Sequence, residues 1–246
     1  ENFNSMIDRL KKQQDKLLTN ERYEAWESVA RKLAHEIKNP LTPIQLSIDR
    51  LREKYSFQIS NNKKDFEQYL ETINRQIKDI ENLVNEFSSF ARMPRPIFKK
   101  INIISVVTRS VNFVKMSSNS EIKLITKHKK LLINGDVEQL NRVFINLIKN
   151  SEEAFFDKLQ KDANFKGKIH IEIVSNNDYI VIKLLDNGTG ILDTKKAMTP
   201  YFTTKSTGTG LGLPIVSKII NEHSGEISII NSKPGVMVLI KLPRIK

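Results

Sequence analysis

Apolar residues in the first part of the chain recur in alternating steps of three and four. One run holds Ala30, Ala34, Ile37, Leu41, Ile44, Ile48 and Leu51, and a second holds Phe66, Leu70, Ile73, Ile77, Ile80, Val84, Phe87 and Ala91. That period belongs to helices packed along a coiled-coil-like seam. The polar stretch from Ser56 to Lys64 separates the two runs, which predicts a helical hairpin. Further on, Leu140, Val143, Phe144, Leu147, Ile148 and Ala154 predict a helix over Val137 to Phe156 with one apolar face. Lys168 to Val174 and Tyr179 to Leu185 alternate like strands, as do Gly225 to Ile230 and Val236 to Leu242 across Lys233-Pro234-Gly235. Between these pairs, Gly208, Gly210 and Gly212 open a helix predicted to run to about His223. Before the hairpin, Phe3, Met6, Ile7, Leu10 and Leu17 have helical spacing amid abundant charge.

Two such hairpin helices leave a wide apolar stripe uncovered, so pairing of two copies into an antiparallel four-helix bundle is the economical solution. A homodimer is expected. The run Met93-Pro94-Arg95-Pro96 cannot continue a helix and predicts a short, stiff linker. From about Ile101 onward the elements predict one mixed α/β domain, large enough to bury its own core.

The register also places the candidate chemistry. With Ala34 at an a position and Ile37 at d, His35 falls at b and Asn39 at f, both pointing away from the seam, with Glu36 beside the histidine. Pro40 and Pro43 remove backbone donors mid-helix and are expected to bend it just beyond His35. A lone helical histidine is ordinarily solvated or satisfied in a core, so the setting has to carry the reading. That setting, HEIKNPLTPIQLS, resembles the H-box of bacterial sensor histidine kinases, in particular nitrogen-regulation sensors of the NtrB and NtrY type. The resemblance implies that His35 accepts a γ-phosphoryl group on a ring nitrogen, and that Glu36 acts as general base for the ring proton. It implies for Asn39 a part in orienting water when a phosphorylated partner is dephosphorylated.

The second half supplies matching features for a phosphate donor. Arg142, Asn146, Asn150 and Glu153 lie three or four apart, so both asparagine amides project from one helix face. Mg²⁺ beside phosphates needs few protein oxygens, which one or two amide carbonyls supply. NLIKNSEEA resembles the N-box of the same kinases, implying Mg²⁺ ligation by Asn150 and Asn146. Glu153 stands where many members carry Lys or Arg, and no phosphate contact is carried onto it. DNGTGI follows a strand and is also an ordinary turn signal. In this context it resembles the G1 box, which implies that Asp186 accepts a hydrogen bond from the adenine amino group while Gly188 and Gly190 let the backbone approach the base. Glycines opening a helix leave backbone N–H groups bare for phosphate oxygens. GTGLGL, with Gly208, Gly210, Leu211 and Gly212, resembles the G2 box rather than a dinucleotide fingerprint or a P-loop. Pro200 to Lys205 resembles the F-box and ATP lid, with Phe202 as its anchor and Thr204 or Lys205 as the implied triphosphate contact.

The fold implied is a helical-hairpin dimerisation domain forming a dimeric four-helix bundle, followed by a Bergerat-type α/β sandwich. Three segments are expected: 1–22, resembling the end of a HAMP signalling helix; 23–95, the dimerisation and phosphotransfer hairpin; and 96–246, the ATP-binding domain. The implied function is a sensor protein-histidine kinase that uses ATP and Mg²⁺, and hands its phosphoryl group to an aspartate of a response-regulator receiver domain. The full-length protein is expected to be membrane-anchored, with this chain as the cytoplasmic portion of a bacterial inner-membrane sensor. No apolar run here is long enough to span a bilayer. The absence of cysteine permits that location.

A net charge of +12 raises the question of nucleic acid. Residues 1–95 carry 17 basic and 15 acidic groups and residues 96–246 carry 23 and 13, so the excess sits with the ATP-binding part. The basic residues are scattered and no base-reading motif accompanies them, so no nucleic-acid partner is expected. An ATPase of the gyrase and Hsp90 kind would share the asparagine and glycine boxes but has no use for His35-Glu36 on a hairpin. A scaffold with a decayed ATP site is disfavoured because every box is intact.

Overall fold

The computed structural model describes residues 6–7, 32–59, 62–91, 93–194, 196–200, 202–203 and 208–245. Their contacts divide the chain into two compact units, Glu1–Pro94 and Arg95–Lys246.

In the first unit, helix α1 covers 32–55 and α2 covers Lys63–Ala91. α1 continues unbroken through Pro40 and Pro43, where the Pro43 carbonyl accepts from Ser47 Oγ at 2.8 Å. Ile48, Leu70 and Ile77 form the buried core, with Leu41 and Phe66 packed against them. Ala34 and Val84 are buried as well. Five further seam positions, Ile37, Ile44, Leu51, Ile73 and Ile80, keep 39–45% of their surface. One hairpin therefore covers one layer of the heptad seam and leaves the alternate layer open. At the turn, Glu67 ties the helices together, accepting from Ser56 Oγ at 2.9 Å and pairing with Arg52 at 3.2 Å. The reading of 1–22 as a HAMP-like helix lies outside the described residues, save for Met6 and Ile7.

The second unit follows the order β1 (Lys99–Asn102), α3 (Ile103–Lys115), β2 (Glu121–Thr126), β3 (Leu132–Gly135), α4 (Val137–Lys161), β4 (Lys168–Ser175), β5 (Tyr179–Asp186), α5 (Gly212–Glu222), β6 (Glu226–Asn231) and β7 (Val236–Pro243). A five-stranded sheet runs β2-β4-β5-β7-β6, while β1 and β3 pair separately. β2 lies parallel to β4 and the other neighbours are antiparallel. Alternate residues, among them Ile169, Ile171, Ile173, Ile180, Ile182, Leu184, Val238, Ile240 and Leu242, are buried. This is the period-two pattern of a sheet with one covered face. The opposite face carries ion pairs such as Lys183–Glu172 at 3.0 Å. Helices supply the second layer: Val107, Val111, Val143, Phe144, Ile148, Val216 and Ile219 are buried. The result is the helical hairpin plus α/β sandwich that the motifs implied. Periodicity had given no elements between the linker and residue 137, where β1, α3, β2 and β3 now stand.

Candidate functional site

His35, Glu36 and Asn39 lie on the exposed side of α1, whereas Ala34, a seam position, is buried. Glu36 stands 4.0 Å from Lys32, one turn earlier. The helix thus presents a histidine, a carboxylate and an amide within about one turn, on a rigid element.

In the second unit three elements converge. Asp186 ends β5 and is only 5% exposed. Its Oδ1 accepts from the N–H of Gly188 at 2.8 Å and of Val236 at 3.2 Å. Ser151 on α4 approaches Oδ2 at 3.3 Å. Burial is the largest influence on the carboxyl and raises it above the ordinary aspartate range, against those three bonds and the positive charge of Lys158. A buried carboxylate aimed out of a strand end and held by backbone donors can accept a hydrogen bond from a ligand amino group.

The second element is α4, whose Asn146 and Asn150 are half-buried one turn apart. The third is the start of α5. A Cβ placed on Gly212 would lie 3.5 Å from both Oδ1 and Nδ2 of Asn150, so the amide faces the first residue of that helix. Leu211, the N-cap residue, is buried and caps with no side-chain bond, and no acid occupies the first turn. The start of α5 therefore keeps its positive end for an outside anion. The helix opens at Gly212, so Gly208 and Gly210 lie before it; Gly210 has φ +69°, a left-handed conformation suited to glycine.

Gly188 is packed close. A Cβ there would meet Ala154 Cβ at 2.8 Å and Asp186 Oδ1 at 3.0 Å. Gly190 has φ +87°, and the loop beyond it is pinned by Asn231, which accepts from Ile191 N at 2.9 Å and donates to its carbonyl at 2.6 Å. Phe202 is half-buried, its N–H 3.3 Å from the Thr199 carbonyl. Thr204 and Lys205 lie outside the described residues. Four participants had no local sequence signal: Ser151, Lys158, Val236 and Asn231 all act across the sheet or loop. Among the described residues no group of three or more His, Cys, Asp or Glu side chains is placed to hold a metal ion.

A second polar cluster lies at the far end of α5. The Asp136 N–H donates to His223 Nε2 at 2.9 Å, so His223 Nδ1 carries the proton and donates to the Ile219 carbonyl at 2.8 Å. Burial pushes the imidazole below its ordinary value, against that carbonyl and the Asp136 charge. Phe98 packs edge-on at 5.1 Å.

The profile of the His Kinase A (phospho-acceptor) domain matches residues 25–96. That of the histidine kinase-, DNA gyrase B-, and HSP90-like ATPases matches residues 135–246. The chain is also 40% identical over 243 residues to an NtrY-like sensor histidine kinase of Rickettsia felis, covering 97% of this chain and 39% of that protein. The chain belongs to the sensor histidine kinases. Among the same kinases, the nitrogen regulation protein NtrY of Azorhizobium caulinodans is 36% identical over 228 residues, 92% of this chain and 29% of that one. This chain therefore spans about two fifths or less of the length of these relatives. The nucleotide-free catalytic domain of histidine kinase ThkA superposes with a TM-score of 0.53 at 28% identity, over 60% of this chain and 98% of that domain. ThkA in complex with the response regulator TrrA shares the fold with a TM-score of 0.65 at 23% identity, over 95% of this chain and 66% of that one.

Proposed function

We propose that this chain is the kinase core of a sensor in a two-component system, transferring the γ-phosphoryl group of ATP to His35. The observation that carries the reading is the convergence of Asp186, Asn150 and the uncapped start of α5 around one site. In the proposal, Asp186 accepts from the adenine amino group, which favours adenine over guanine because guanine presents a carbonyl there. Gly188 and Gly190 admit the base, Phe202 anchors the lid, and Thr204 or Lys205 reaches the triphosphate. The N–H groups around Gly208, Gly210, Leu211 and Gly212 receive phosphate oxygens.

Asn150, with Asn146, holds Mg²⁺, which when bound neutralises charge on the phosphates. A neutral His35 nitrogen attacks phosphorus, the bond to the bridging oxygen breaks, ADP leaves, and Glu36 takes the proton released from the ring. Catalysis comes from positioning and charge stabilisation. The N–P bond is then exchanged for an acyl phosphate on a receiver-domain aspartate, and Asn39 orients water for the reverse loss of phosphate. We propose further that the hairpin dimerises and that the stiff run 93–96 lets the ATP-binding unit move to and from His35. The name of the relative from Azorhizobium caulinodans points to a role in nitrogen regulation. Sedimentation of the full-length protein with membranes tests its proposed anchoring.

Incubation with γ-labelled ATP tests the central reaction. Acid-labile, alkali-stable label is expected on the wild-type protein, lost on chelation of Mg²⁺ and absent from His35→Ala, with ATP affinity nearly unchanged in that variant. Label persisting on His35→Ala would refute the assignment, and phosphate release without label would mark a clamp-type ATPase instead.

A further inference from the structure

We infer that Lys158 is a positioning residue for base recognition, locking the peptide between Asn187 and Gly188 so that the Asp186 carboxylate faces the nucleotide. The inference rests on the nucleotide reading above. Lys158 lies on α4 beyond Asn150, and its ammonium donates to the Asn187 carbonyl at 2.7 Å. The same peptide unit carries the Gly188 N–H, which donates to Asp186 Oδ1 at 2.8 Å. A trans peptide is planar, with its C=O and N–H pointing in opposite directions. Holding the oxygen therefore aims the N–H. A charge-assisted bond from an ammonium is among the stronger holds available to a carbonyl.

Other contacts restrict the same residue to one place. The Asn187 side chain accepts from Lys168 N at 2.7 Å and donates to the Lys166 carbonyl at 2.9 Å, tying it to the start of β4. Lys158 itself is held 5.3 Å from the Phe165 ring, which leans on Phe155 at 5.8 Å. The clasp thus joins α4, the approach to β4 and the end of β5 around one peptide. Without the lysine, that peptide can turn, and Asp186 loses one of its two backbone donors.

Lys158→Met keeps the unbranched apolar stem, one atom shorter, and removes the ammonium donor, while Lys158→Arg keeps a charged donor. Kd values for ADP and GDP measured by calorimetry, with melting curves for each protein, separate positioning from folding. Lys158→Met is expected to bind ADP on the order of tenfold more weakly, with reduced preference for ADP over GDP, full binding stoichiometry and partial rescue in Lys158→Arg. Unchanged Kd and base preference would overturn the inference, as would a loss confined to stoichiometry, which reports unfolded protein. Should Lys158→Met fail to fold, Lys158→Leu, which likewise has no donor, carries the same comparison. Failure of the wild-type protein to bind ADP would instead overturn the nucleotide reading.

Discussion

The same residue type serves opposite settings in Asn39 and Asn150. Asn150 is half-buried against the first residue of α5, where an amide oxygen can share an ion with phosphates. Asn39 is exposed on the outer face of α1, where it can reach only something that docks from outside. Asn39→Ala should therefore leave autophosphorylation near wild type and slow loss of phosphate from the regulator on the order of tenfold, as expected when a water loses its orienting group. The decay rate of phosphorylated regulator checks this, and equal rates would remove Asn39 from the mechanism. Motif residues such as Asp186 were legible because their neighbours in sequence define them. Ser151 was not, although it directly follows Asn150, because one residue further round a helix is a different face. That face meets Asp186, which is 35 positions away.

At the scale of elements, Asp136 governs the start of α4. Its Oδ1 accepts from Glu138 and Gln139 N–H groups, and its Oδ2 accepts from Ile97 N at 2.8 Å. Burial works to raise this carboxyl, yet the bonds from Ile97, Gln139 and Glu138 outweigh it and hold the group below the ordinary aspartate range. A lowered carboxyl contributes stability that is complete above its unfolded-state pKa of about 3.9 and is lost as pH falls through its lower folded value. Asp136→Ala should destabilise the ATP-binding unit by about 1–2 kcal/mol at neutral pH, with the difference from wild type shrinking below about pH 4. Urea unfolding at several pH values checks both parts. The α4 helix and strands β4 to β7 were legible from period and turn chemistry. β1, β2 and β3 were not, because these short segments take their form from partners elsewhere: Lys99 to Asn102 from Gly135 to Leu132, and β2 from the parallel edge of β4. α3 did carry a local signal, an Asn102 cap followed by Ile103, Val106, Val107, Val111 and Val114 at helical spacing, which sequence reasoning missed.

At the scale of the molecule, the proposed dimer turns on the open layer of the hairpin. Ile37, Ile44, Leu51, Ile73 and Ile80 repeat every seven residues within each helix and stay partly exposed in a single copy. Ile73→Glu puts a charge in that layer and should convert a dimer to a monomer at micromolar concentration, since a buried unpaired carboxylate is strongly disfavoured. Sedimentation equilibrium checks it, and a persistent dimer would place the interface elsewhere. By itself the sequence determined the elements with strong period, the outward register of His35, and the residue types able to hold a nucleotide, because these depend on neighbours within a turn or a strand. Only the tertiary structure decided which backbone N–H groups hold Asp186, that Asn150 faces Gly212, and that Lys158 grips the peptide beside the carboxylate. Apart from the bond from Gly188 to Asp186, those contacts join residues far apart in the chain, and their geometry exists only once the sheet has brought α4, β5 and α5 together.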